Sequence, residues 1–169
     1  MEVVGGTDHT VTGNVITANG GNAIDLGADG TTANDTGDAD TGANDLLNTP
    51  VLTSATESLG LVDLTVTVDV PVGSYRIEVH TDPSNTRSLS ELAGSERFTT
   101  TVTGSQMVTV TFAGVVGERL VATLTEDDGT TTGSTSEVSA TSVVAATGGA
   151  TAADASVRRS DLRATGGLT

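Results

Sequence analysis

The stretch D-L-T-V-T-V-D-V, residues 63–70, decides how the chain is to be read. Leu64, Val66, Val68 and Val70 fall on one side, and Thr65, Thr67 and Asp69 on the other. A period of two marks a strand with one face buried and one face wet. Pro71-Val72-Gly73-Ser74 then turns the chain, and Y-R-I-E-V-H, residues 75–80, alternates again with Tyr75, Ile77 and Val79 inward. Further short runs stand at 97–102, 107–112, 119–125 and 137–144, each bounded by Gly, Asp or Ser, and Val51–Ala55 precedes them all. Roughly seven short strands at even spacing predict an antiparallel Ig-like β-sandwich. That module is assigned to residues 51–145. Phe98, Val108, Val110, Phe112, Leu120, Ala122 and Leu124 are expected to complete its core. The polar stretch 81–95 reads as a loop, with room for one helical turn at Leu89–Ala93.

The composition narrows the function classes. The chain has 169 residues, 22 acidic against 7 basic, a net charge of -15, and no cysteine. All the basic residues are arginine. So lopsided a charge argues against nucleic acid, which needs a basic face, and against an electrostatic membrane anchor. No apolar run is long enough to insert in a bilayer. An acidic, lysine-free surface suits a salt- or cation-rich milieu, where self-repulsion is screened; a GC-rich genome also depletes lysine. Without cysteine there is no disulfide framework, no thiolate metal site and no thiol nucleophile. Aromatic content is 2%, so Val, Leu, Ile and Ala must build the core, and Tyr75, Phe98 and Phe112 each mark a core position.

Upstream of the sandwich the pattern changes. Gly13-Asn14-Val15-Ile16 returns as Gly21-Asn22-Ala23-Ile24. Short β-prone pieces at 10–12, 15–17 and 23–26 alternate with Gly-Asn corners. Strands this short suit the coils of a β-solenoid, where Asn tolerates left-handed corners. About three coils are needed for stability, so residues 1–50 are expected to be the end of a longer stack plus an Asp-rich loop. The chain accordingly reads as a fragment, and the lack of a leader at Met1 says nothing about its parent. The tail, 146–169, carries Arg158, Arg159 and Arg163 without a sustained apolar period. It reads as a linker or tether, with a short helix over 152–163 as the alternative.

Residues 25–45 hold Asp25, Asp29, Asp35, Asp38, Asp40 and Asp45, with no Lys, Arg or His among them. Asp38-x-Asp40-x-Gly42-x-Asn44 has the spacing of alternating oxygen ligands around a glycine bend, which lets a short loop wrap a hard cation. Carboxylates about 4 Å apart repel by about 1 kcal/mol even in water, so a cation would relieve the loop. Calcium is the expected cofactor, with Asp38, Asp40 and Asn44 as first ligands and Asp35 and Asp29 next. The competing account is a hydrated acidic linker. Asp127-Asp128-Gly129 reads as a turn, with a second weak cation site as the alternative, and His9 and His80 as surface or strand residues with no acidic partner placed to orient them. No G-x-S-x-G elbow occurs.

The run G-N-V-I-T-A-N-G-G-N-A-I-D-L-G at 13–27, the Asp-rich loop, and N-x-P-V-L-T-S-A at 48–55 resemble the last coils of right-handed parallel β-helix surface proteins of the pectate-lyase-like solenoid class. In those proteins an Ig-like sandwich commonly follows, and its strands are similar to Y-R-I-E-V at 75–79 and T-S-E-V-S-A at 135–140. The resemblance covers about residues 5–144. It implies an extracellular or cell-surface setting and a structural or adhesive part in a surface protein or filament. Enzymatic members act on polysaccharides through residues on middle coils that this chain does not contain, so no catalytic residue is assigned and no enzyme activity is expected. The alternative is a carbohydrate-binding or accessory module of a polysaccharide-degrading enzyme. Glycan binding is disfavoured by the lack of Trp and the single Tyr. Self-assembly through exposed strand edges is the expected partnership.

Overall fold

The computed structural model describes residues 1–148. The fold is all-β. Two short strands, β1 (Glu2–Val3) and β2 (Asp25–Leu26), precede β3 (Val51–Ser58), β4 (Leu61–Val70) and β5 (Gly73–Thr81). Then come β6 (Leu92–Thr100), β7 (Gly104–Ala113), β8 (Arg119–Asp127), β9 (Thr132–Thr135), β10 (Ser142–Val143) and β11 (Ala145–Ala146). One sheet has the order β11-β3-β4-β7, and the other β10-β8-β5-β6 with β9 also on β8. All pairs within the sheets are antiparallel except β11 on β3.

The alternation in 63–70 is realised as read. Val62, Leu64, Val66, Val68 and Val70 are buried against Ile77, Val79, Leu120, Ala122 and Leu124 of the facing sheet. Tyr75, Val110 and Phe112 join them, while Phe98 and Val108 pack on this core only partly buried. Tyr75 and Phe98 stack with ring centroids 5.8 Å apart.

Three local expectations are corrected. Residues 89–93 form no helical turn: Leu89 makes an antiparallel bridge with Ile16, and β6 already starts at Leu92. The last strand is not continuous over 137–144 but breaks between Thr135 and Ser142. At the break, side chains replace backbone. Leu124 and Ala122 donate their N–H to the hydroxyls of Ser136 and Ser139, at 3.0 and 2.9 Å. Ser136 and Ser139 return their own N–H to the carbonyls of the same two residues. The ladder is therefore satisfied while Glu137 and Val138 are buried outside it. Finally, the tail assigned to 146–169 starts inside a strand, because Ala146 pairs with Glu57; residues 149–169 lie outside the described ones.

Parts of the N-terminal segment cover the outer face of the β10-β8-β5-β6 sheet. A second core joins Val3, Val11, Ala23, Ile24, Leu26 and Ala43 to Leu89, Val121 and Val138. Strand β8 is thus buried on both faces. Beneath this cover sit buried polar groups. Glu78 accepts the Gly13 N–H at 2.9 Å and pairs with Arg76 at 3.1 Å. His80, expected near the surface without an acidic neighbour, is 1% exposed, with Nε2 3.9 Å from Glu78. The only parallel ladder of the N-terminal part, among the described residues, sets Glu2 opposite Asp25 and Val3 opposite Leu26.

Candidate metal centre

The Asp-rich loop sits at the end of the sandwich where β4 finishes. Asn48, buried, fastens it there. Its amide donates to the carbonyls of Asp35 and Asp69, at 2.9 and 2.7 Å, and its Oδ1 accepts the Asp35 N–H at 3.0 Å. Its backbone N–H donates to Asp38 Oδ1 at 2.7 Å. Gly37, at φ 72°, donates to the Asp69 carboxylate at 3.0 Å. Asp35 receives the Ala39 N–H at 3.1 Å on each carboxylate oxygen. These bonds tie the loop to the end of β4.

That shape gathers Asp35, Asp38 and Asp40, each contributing an oxygen within 4.8 Å of the others. None of the described ion pairs involves them. Two of the three carboxyls, Asp38 and Asp40, are raised above the ordinary carboxylate value. Burial, opposed in part by the Asn48 N–H and reinforced by the charges of Asp40, Asp35 and Glu126, pushes the Asp38 carboxyl up to about 6. Burial and then Asp35 raise the Asp40 carboxyl too. Asp40 Oδ1 is buried and has no hydrogen-bond partner. A buried acceptor without a donor is costly, and an oxygen-only group of this kind suits a hard cation.

Of the five residues expected to bind metal, the structure brings together Asp35, Asp38 and Asp40 and sets two apart. Asp29 is exposed and outside the cluster. Asn44 is fully buried, and its amide is spent on protein: Oδ1 accepts the His9 N–H at 2.9 Å, and Nδ2 donates to His9 and Thr135 carbonyls at 2.7 and 3.0 Å. The physical reason is the backbone. Asn44, Asp45 and Leu46 all have φ near 50°, a left-handed turn that carries Asn44 away from the aspartates and under the N-terminal layer.

Two groups escaped the sequence reading. Asn48 is the hub of the loop, and its only signal was its place just before Pro50. Asp69 appeared as an outward residue of a strand, and nothing in the alternation links it to Gly37. Beside the cluster, Asp8, Glu126, Asp127 and Asp128 border a pocket of about 280 Å³. Asp127 is held there by Arg76 and Arg97, at 3.0 and 3.1 Å. Asp128 accepts the N–H groups of Thr130 and Thr131 at 2.7 Å, as the expected turn requires.

No family model and no curated protein matches the chain.

Proposed function

We propose that the chain is a structural or adhesive module of an extracellular surface protein or filament, stabilised by calcium bound at Asp35, Asp38 and Asp40. The observation that carries this reading is the convergence of three carboxylates with no basic partner, one of them with a buried oxygen lacking any donor. Calcium takes six to eight oxygens in irregular geometry, whereas magnesium demands a regular octahedron. Extracellular modules typically bind it at about 10⁻⁴–10⁻³ M, matched to the medium outside cells. The end coil of a solenoid remains our reading of residues 1–50; the parallel pairing of β1 with β2 supports it. Strand β7 edges its sheet and has no charged side chain, which favours edge-to-edge assembly into a filament.

The glycan-binding alternative has a specific observation against it. Tyr75 and Phe112 are buried and Phe98 packs on the core, so the chain's large rings are committed inside and offer no stacking platform.

The test is calorimetric melting in millimolar calcium and in chelator at equal ionic strength. Binding to the folded state alone stabilises by about 3 kcal/mol at a hundredfold excess over Kd, so chelator is expected to lower Tm by several degrees. Coincident melting curves would sink the calcium reading.

A further inference from the structure

The pole opposite the acidic loop carries a different anomaly. Leu59 and Gly60 form the two-residue turn between β3 and β4, with φ of 55° and 84°. Two positive φ values are the type I′ requirement, which Asn-Gly or Asp-Gly meets without strain. Leucine meets it badly, since its Cβ crowds the following carbonyl in the left-handed region. Here the leucine is also 100% exposed. A residue that is unfavourable for the turn and gains nothing from burial points to a contact made with something else.

The neighbours extend the surface. The Gly114 N–H donates to the Gly60 carbonyl at 3.2 Å, and the Gly117 N–H to the Val144 carbonyl at 2.9 Å. These bonds draw the β7–β8 loop and the last strands to the same end. Leu61, Val115, Val116 and Val143 are exposed around it. The rim is mostly acidic. Glu57 accepts the Gly60 N–H at 2.6 Å, and Glu118 lies beside Val115 at 3.5 Å, with Arg119 next in sequence.

We propose that this pole is the docking surface of the chain's own segment Val157–Arg163. Its sequence, V-R-R-S-D-L-R, offers Val157 and Leu162 for the apolar patch and three of the seven arginines of the chain for the acidic rim. The path is short, because Thr147 donates its N–H to the Glu57 carbonyl at 2.9 Å, so the chain leaves from the rim itself. Nine further residues reach about 30 Å when extended, and tethering keeps the segment at about millimolar effective concentration. A second copy fits worse. Pole-to-pole pairing would set Glu57 and Glu118 against their own counterparts in a chain of net charge -15.

The experiment is methyl NMR of Leu59, Leu61, Val115 and Val116 in the full chain and in a chain ending at Gly148. The expected result is a set of shifts on removing residues 149–169 that does not change on roughly tenfold dilution and weakens with salt. Adding a peptide of residues 149–169 to the shortened chain should restore them. Leu59→Asn suits the turn better, so it should raise the melting temperature of the shortened chain while abolishing the tail-dependent shifts at Val115 and Val116. Arg158→Glu with Arg159→Glu should abolish them as well. Identical spectra with and without the tail would overturn the proposal. So would shifts that vanish on dilution, which mean a second copy, or shifts that survive Leu59→Asn.

Discussion

Glu137 accepts the backbone N–H of Leu26 at 2.9 Å, and its other oxygen accepts that of Thr32 at 3.0 Å. One buried carboxylate on the last strand region thus holds two points of the N-terminal layer. Burial raises its pKa, and these two backbone donors offset part of that cost. Glu137→Ala leaves both N–H groups without their acceptor, at about 1–3 kcal/mol each. The expected loss in urea unfolding is about 2–4 kcal/mol. Glu137→Gln keeps one acceptor oxygen and should lose about half as much.

The N-terminal layer is a structural part of the sandwich rather than an appendage. Deleting residues 1–48 uncovers Leu89, Val121 and Val138 and removes one of the donors of Glu78, the Gly13 N–H. Each fully buried aliphatic side chain contributes about 1.5–3 kcal/mol relative to exposure. A chain starting at Thr49 is expected to be expressed as aggregate or molten material, read by dye binding and loss of methyl dispersion. A cooperatively folded monomer would contradict this.

Asp82 makes acid the sensitive side of the stability curve. Burial would raise its pKa, but donors from Ser88, Thr86, Ser84 and Thr141 win and hold it at about 2. A carboxyl depressed below its ordinary 3.8 stabilises the fold above that value and loses the contribution as pH falls through the folded pKa. The shift is equivalent to about 2 kcal/mol. Stability should therefore fall between about pH 4 and pH 2, and Asp82→Asn should flatten that part of the curve while lowering stability at neutral pH.

For the metal site, Asp40→Asn separates repulsion from ligation. Without calcium the substitution removes one of three crowded charges, so it should raise Tm in chelator. With calcium it should cancel the gain seen in the parent chain. A parent-like calcium response in the variant would remove Asp40 from the ligand set.

The sandwich was legible because residues 63–70 and 75–80 alternate with one apolar face, and a single face is all that period two encodes. The same logic concealed the cover. In β8, Val121 stands on the outward side among Thr123 and Thr125, and a lone valine does not announce a second core. Glu78 and His80 read as wet for the same reason, although buried. In the Asp-rich loop, the spacing pointed to Asp35, Asp38 and Asp40, which the fold brings together, since proximity in a short loop follows from sequence proximity. The spacing did not show that the Asn44 side chain bonds His9 and Thr135, because three successive left-handed residues are not written in any spacing rule. The split of the last strand was hidden in S-E-V-S, where hydroxyls stand in for peptide groups.

The bonds that fix the N-terminal layer fall late in the chain. Val11 donates to Thr135, and Leu26 to Glu137, across 124 and 111 positions. During synthesis the first part of the polypeptide to leave the ribosome is therefore the last able to fold. Its aspartates, glycines and asparagines keep it soluble while it waits, with no long apolar run to seed premature association. Closure of the layer over β8 then completes the molecule in a single late step. A ribosome-bound chain halted before residue 135 should leave residues 1–48 open to protease, whatever state the earlier strands have reached.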